Sequence, residues 1–158
     1  MKKPKDLVML IVILFIGVFL GLQVKAVSAM TFSQAKRVYY QVAKSSFAGV
    51  PKLILNPSND ANAAWTGMYV VVNQGMLNSV RNDSEMAMVF GHELAHYRLG
   101  HWGSNWANEF AADRLGFTYS VRAGFSGCKG MLWLLRNGIQ STTHPSGKER
   151  YYRLCGGR

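Results

Sequence analysis

One pentapeptide constrains this chain more than any other stretch: His92-Glu93-Leu94-Ala95-His96, an H-E-x-x-H sequence inside the apolar-periodic run from Glu85 to Leu99. The run reads as a helix, and residues four apart on a helix share a face. Both imidazoles can therefore reach a single Zn2+, with Glu93 beside the metal rather than on it. At this chain's own His and Glu frequencies a chance H-E-x-x-H has a probability of about 0.003, so coincidence is a poor explanation. Two histidines leave the site short of a third ligand. Three protein ligands and a water make a catalytic zinc centre, whereas a structural centre closes the fourth position with protein, usually with cysteines. No cysteine lies near the motif in sequence. The third ligand expected is Glu109 in Asn108-Glu109-Phe110-Ala111-Ala112-Asp113, on a second predicted helix, with Asp113 one turn further along the same face. Asp113 is too far along to ligate if Glu109 does. Its expected role is to accept the free N–H of a metal-bound histidine and fix that ring's orientation, the alternative being an ion pair with Arg114 or another arginine.

Three linked motifs extend this reading: Gly91 to His96, Glu109-x-x-x-Asp113 with Leu115-Gly116, and Thr143-His144-Pro145 with Arg150. Together they resemble the gluzincin metallopeptidases that include CAAX prenyl protease and the HtpX heat-shock protease, over residues 62 to 150. The resemblance implies an α+β fold, a mainly helical zincin-like domain with a small antiparallel sheet beside the H-E-x-x-H helix. It implies one Zn2+ per chain on His92, His96 and Glu109, with Glu93 as general base of peptide-bond hydrolysis and a polypeptide as substrate. It makes His144 a residue for stabilising the oxyanion and Arg150 one that organises the site or bonds substrate. Only 12 residues separate His96 from Glu109, where membrane-embedded members insert long transmembrane segments, so the likeness is to small single-domain members.

The start of the chain reads as targeting rather than core. Lys2-Lys3-Pro4-Lys5 precedes an uncharged run from Leu7 to Leu22, and Val27-Ser28-Ala29 places small residues one and three before a cut after Ala29. That pattern fits residues 1–29 as a secretory signal. The rival is an uncleaved anchor, with residues 7–24 near the lower length limit for a membrane span. Either reading puts residues 30–158 outside the cytoplasm, periplasmic or extracellular, by the positive-inside rule.

The chain carries 18 Lys and Arg against 8 Asp and Glu. A cationic surface of this kind favours anionic partners in general. Nucleic acid is not expected, because the positive residues are scattered and no nucleic-acid-binding motif orders them. In an exported domain Cys128 and Cys155 can pair as a disulfide; two free buried thiols fit the sequence as well.

Around the motif, apolar residues from Thr31 to Phe47 recur at helical spacing, with Thr31 or Ser33 as cap and Gly49 and Pro51 beyond. Lys52–Asn56 and Tyr69–Asn73 read as strands. Asn82 with Glu85 predicts a capping-box-like start for the motif helix and Gly100 its stop. His101, beyond that stop, reads as a surface residue or a partner of a ligand. Ser104 or Asn105 caps the next helix, with Trp102, Trp106, Phe110 and Phe117 expected in the core. A short apolar helix from Ser126 ends near Asn137-Gly138, and Ser146 with Glu149 predicts a capping box for the last one. Two rivals use the same residues without catalysis: a zinc-holding module that binds exposed strands, chaperone-like, and a cationic wall- or membrane-binding protein with a vestigial motif.

Overall fold

A computed structural model describes residues 28–46, 49–138 and 140–156. The segment 1–29, expected to target the chain, lies outside the described residues except for its last two, and its run at 7–24 lies wholly outside them. Among the described residues no helix is long and apolar enough to cross a membrane.

Helix α1 (Phe32–Ser45) begins where Thr31 and Gln34 form a reciprocal capping box. Its buried stripe, Ala35, Val38, Tyr39, Val42 and Ala43, follows the 3.6-residue period. Tyr39 anchors it twice: the hydroxyl donates to the Pro51 carbonyl at 2.7 Å, and the ring meets Phe90 edge-on at 5.2 Å.

Three strands follow: β1 (Lys52–Asn56), β2 (Ala63–Trp65) and β3 (Tyr69–Asn73), in sheet order β1-β3-β2. The sheet is mixed rather than wholly antiparallel. β1 pairs with β3 in parallel and β2 with β3 antiparallel. The reason is β2, a three-residue strand too short to carry a sequence signal. It reverses the chain between β1 and β3, so those two run the same way.

β3 leads into the short helix α2 (Gln74–Ser79) and then into α3 (Asp83–Leu99), the motif helix. α3 packs against α1, β2 and the two helices that follow it, α4 (Trp106–Arg122) and α5 (Gly127–Asn137). It is accordingly buried on several sides, through Met86, Met88, Phe90, Leu94 and others. The Asn82 carboxamide accepts the N–H groups of Ser84 and Glu85. The expected reciprocal half of that cap is absent. Glu85 is buried, takes the Arg81 N–H at 2.8 Å, and forms a two-pronged ion pair with Arg136 of α5 at 2.8 and 2.9 Å.

The crossing of α3 and α4 positions the site. A Cβ on Gly91 would lie 2.5 Å from the Gly116 carbonyl oxygen, and one on Gly116 would lie 2.6 Å from Gly91 C and from His92 N. Two glycines thus let the backbones touch beside the motif. Helix α6 (Gly147–Cys155) closes the fold, its start capped by Ser146 alone and its end joined to α5 by the Cys128–Cys155 disulfide.

Two aromatics sit outside the core they were expected to join: Trp102 is 83 % exposed and Trp106 38 %. After Gly100 the chain leaves the helical period, and Trp102 lies along the tight turn at Gly67. Trp106 is the first residue of α4, its indole N–H donating to the Ser141 carbonyl at 3.2 Å.

Candidate metal centre and active site

His92 and His96, one turn apart on α3, present their Nε2 atoms 2.9 Å from each other. The α3–α4 crossing brings Glu109, in the first turn of α4, against both. Its Oε2 is 3.3 Å from His92 Nε2 and its Oε1 3.4 Å from His96 Nε2. A tetrahedral zinc with bonds of about 2.0–2.1 Å separates its ligand atoms by about 3.3 Å, so both histidine–carboxylate gaps match one coordination sphere and the 2.9 Å gap between the imidazoles is about 0.4 Å short of it. A further observation fits a cation. Glu109 is 1 % exposed, and its Oε2 is buried without a hydrogen bond from any described residue. The two imidazole nitrogens at 2.9 Å are within hydrogen-bond distance, one ring donating to the other until a metal takes both lone pairs. Among the described residues this trio is the one cluster of His, Cys, Asp or Glu spaced for a metal.

Each member is held from behind. Asp113 accepts from His92 Nδ1 at 3.0 Å and from Arg150 of α6 through two bonds, Nε to Oδ2 at 2.7 Å and Nη2 to Oδ1 at 2.6 Å. The role expected of Asp113 toward a histidine and the ion pair offered as its alternative therefore coexist. Arg150 Nη2 also lies 3.3 Å from His92 Nδ1. A guanidinium has no acceptor, so with the Nδ1 proton on Asp113 that contact is proximity alone. Ser104 Oγ donates to Glu109 Oε1 at 2.5 Å, and His101 Nδ1 lies 3.0 Å from His96 Nδ1.

The charges follow from these contacts. Burial raises the Glu109 carboxyl, but His92, His96 and the Ser104 hydroxyl outweigh it and hold it below the usual carboxylate range. Burial opposes charge on His92, yet its bonds to Asp113 and its nearness to Glu109 raise it to about 9. Burial pushes Glu93 up, partly offset by the two imidazoles and by the Trp65 N–H that donates to its Oε2 at 2.7 Å.

That last bond ties Glu93 to β2, an outer strand of the sheet. Asn62 and Thr66 take the backbone bonds to β3, so by antiparallel alternation the N–H and C=O of Ala63 point off the sheet. Beside this edge runs a cleft of about 220 Å3, lined by Ala63, Val89, Glu93, Trp133, Leu134 and His144 among others. His144 is about half exposed. Its Nδ1 pairs with Thr143 Oγ1 at 2.9 Å and its Nε2 lies 3.6 Å from Glu109 Oε1.

The fold thus gathers His92, Glu93, His96, Glu109, Asp113, His144 and Arg150 in one place, and it pairs Cys128 with Cys155. Sequence reasoning left out two contributors, Ser104 toward Glu109 and the Trp65 N–H, while His101, read as a surface residue or a partner of a ligand, is a contact of His96. Neither of the two missed groups left a trace in the residues.

No curated protein matches this chain. Residues 29–107, half of its length, match peptidase family M48. The match takes in α3 and stops two residues short of Glu109, so the third acidic group rests on the geometry above. With the motif helix inside the matched region and a His-His-Glu cluster built around it, this chain belongs to the M48 family of metallopeptidases.

Proposed function

We propose that the chain is a zinc-dependent endopeptidase that cleaves extended polypeptide segments outside the cytoplasm. The observation that carries this reading is the convergence of His92, His96 and Glu109 beside Glu93 and the open edge of β2. His92, His96 and Glu109 would hold the metal. When bound, zinc supplies a Lewis acid that acidifies a water and polarises the peptide carbonyl.

The chain's own groups do the rest. Glu93 Oε2 is fixed by the Trp65 N–H, leaving Oε1 to take a proton from the attacking water and pass it to the leaving amide nitrogen. Burial favours this, because a raised carboxyl both accepts and releases a proton nearer neutrality. Substrate pairs as an added strand through the outward N–H and C=O of Ala63, which aligns the scissile bond with the site. A side chain next to that bond enters the cleft against Val89, Trp133 and Leu134. His144, as an Nε2–H donor at the cleft mouth, stabilises the oxyanion, and Arg150 holds Asp113 and thereby the His92 ring.

The linked Glu109–Asp113 and Thr143–Arg150 motifs support a reading of the chain as similar to the CAAX prenyl protease and HtpX members of the family. Location outside the cytoplasm is supported by the Cys128–Cys155 disulfide, which persists in oxidising compartments, and by the signal-like pattern of residues 1–29.

The test is Glu93→Gln in the purified full chain. The variant should bind one zinc, as wild type does, and lose casein cleavage by about 10²–10⁴-fold. Full activity in Glu93→Gln, or wild type without zinc, overturns the reading.

A further inference from the structure

His92 and His96 are supported differently. Asp113, itself clamped by Arg150, fixes the His92 ring. No carboxylate among the described residues bonds His96 Nδ1; the group there is the His101 ring, with the two Nδ1 atoms 3.0 Å apart and the ring centroids at 5.1 Å. We propose that His101 is the positioning residue for His96, accepting the Nδ1–H of that ring and so directing its Nε2 at the metal.

Local backbone geometry creates this contact. On a continued helix the residue five past His96 would lie about 140° around the axis, facing away from the site. Helix α3 ends instead at Gly100, whose φ of 64° and ψ of 33° are left-handed. The chain folds back there, with the His101 N–H donating to the His96 carbonyl at 3.1 Å. The side chain of His101 thereby returns over the ring it follows. A left-handed residue at this point costs an L side chain about 1–2 kcal/mol, which accounts for glycine between the two histidines.

The tautomers then follow from proton counting. A neutral imidazole carries one N–H. If His96 gives its Nε2 lone pair to a metal, its proton sits on Nδ1 and must be donated. His101 Nδ1 must then present a lone pair, which puts the His101 proton on Nε2. The pair works only in this order, so the contact selects the ligating tautomer of His96 as well as its orientation.

The inference rests on the metal reading above, and the test separates the two. Zinc affinity of the full chain is measured by competition with a chromogenic chelator. The d–d spectrum of the Co2+-loaded chain and melting in excess chelator are recorded alongside. His101→Ala should weaken zinc binding about tenfold and alter the Co2+ spectrum, with metal-free melting unchanged. The loss falls at the lower end of the 10–100-fold range for such partners because water reaches this part-exposed site and can replace the acceptor. His101→Asn, whose amide oxygen can occupy the Nδ1 position, should restore affinity and spectrum. Wild-type affinity in His101→Ala overturns the inference and leaves the metal reading intact. So does a loss that His101→Asn does not repair, or one matched by a fall in metal-free melting. A wild-type chain that binds no zinc overturns both.

Discussion

Gly116→Ala tests how the α3–α4 crossing builds the site. The added Cβ would stand 2.6 Å from Gly91 C and His92 N, and both are backbone atoms that no side-chain rotation can move. Ordinary contact begins at 3.4 Å, so the helices must separate by about 0.8 Å. Glu109 lies two turns from Gly116 on the same helix, and the gaps from its oxygens to His92 and His96 Nε2, now 3.3 and 3.4 Å, open with the crossing. A zinc sphere tolerates about 0.2 Å in its bond lengths, so a shift several times larger releases the carboxylate. In energy, overpacking costs about 1–3 kcal/mol, while Ala in place of a helical Gly gains about 1 kcal/mol. Sterics therefore wins on balance. The expected result is a zinc affinity at least about tenfold weaker, about 1.4 kcal/mol, together with a lower melting temperature in chelator. If Gly116→Ala melts higher and binds zinc as wild type does, the crossing does not set the ligand geometry.

Zinc binding should release protons. His92 is raised to about 9 without metal, is protonated at neutral pH, and must lose that proton to ligate. Calorimetry in two buffers of different ionisation enthalpy should find about one proton released per zinc near pH 7.5, with affinity rising about tenfold per pH unit until about pH 9; no release refutes this. Arg150→Met leaves the Asp113 carboxylate buried with one partner fewer and should cost about 3–5 kcal/mol in urea unfolding. Burial raises the Asp113 carboxyl, but Arg150 and His92 outweigh it and keep it low. The stability it contributes is present above the ordinary Asp value of about 3.9 and lost as pH falls through its lowered folded value. The Arg150→Met deficit should therefore shrink in acid, and a pH-independent deficit would point to lost packing instead. Replacing Cys128 and Cys155 by Ser opens a loop of sequence separation 27 and should cost about 3.5 kcal/mol of chain entropy; an unchanged denaturation midpoint would deny the crosslink a stabilising role.

What the residues made legible was local. Asn82 and Ser146 cap the helices they were read as capping, and Thr31 and Asn105 are the caps of the pairs Thr31 or Ser33 and Ser104 or Asn105, because a short polar side chain satisfies orphan N–H groups within three residues of itself. β1 and β3 match their expected bounds because five-residue β-branched runs between turn formers carry a signal. Glu109 was legible because a motif fixed its spacing from Asp113. What stayed hidden was set by other segments. β2 is a strand only because β3 pairs with it, and its direction decides that β1 and β3 run parallel. The exposure of Trp102 follows from the reversal at Gly100, which no hydropathy pattern encodes. Gly91 and Gly116 stood in the motifs as letters, and only the crossing gives them their reason.

The features hardest to read are also the ones that break ordinary folding rules. Glu109 is buried with one oxygen lacking a hydrogen bond, and Glu93 is buried near it. Each of these costs free energy in a chain selected for stability alone. They are tolerated because the surroundings are rigid: backbones in contact at two glycines, the Arg150–Asp113 pair, and a disulfide tying α5 to α6, whose residues Trp133 and Arg150 both line the cleft. Rules broken together at one point and satisfied around it mark a functional site. Here one divalent cation would satisfy the Glu109 oxygen while drawing on the lone pairs of both imidazoles, and no apolar substitution could do so without dismantling the cluster. The buried, partly unsatisfied Glu109 carboxylate is thus an argument for a cation that comes from outside the H-E-x-x-H motif.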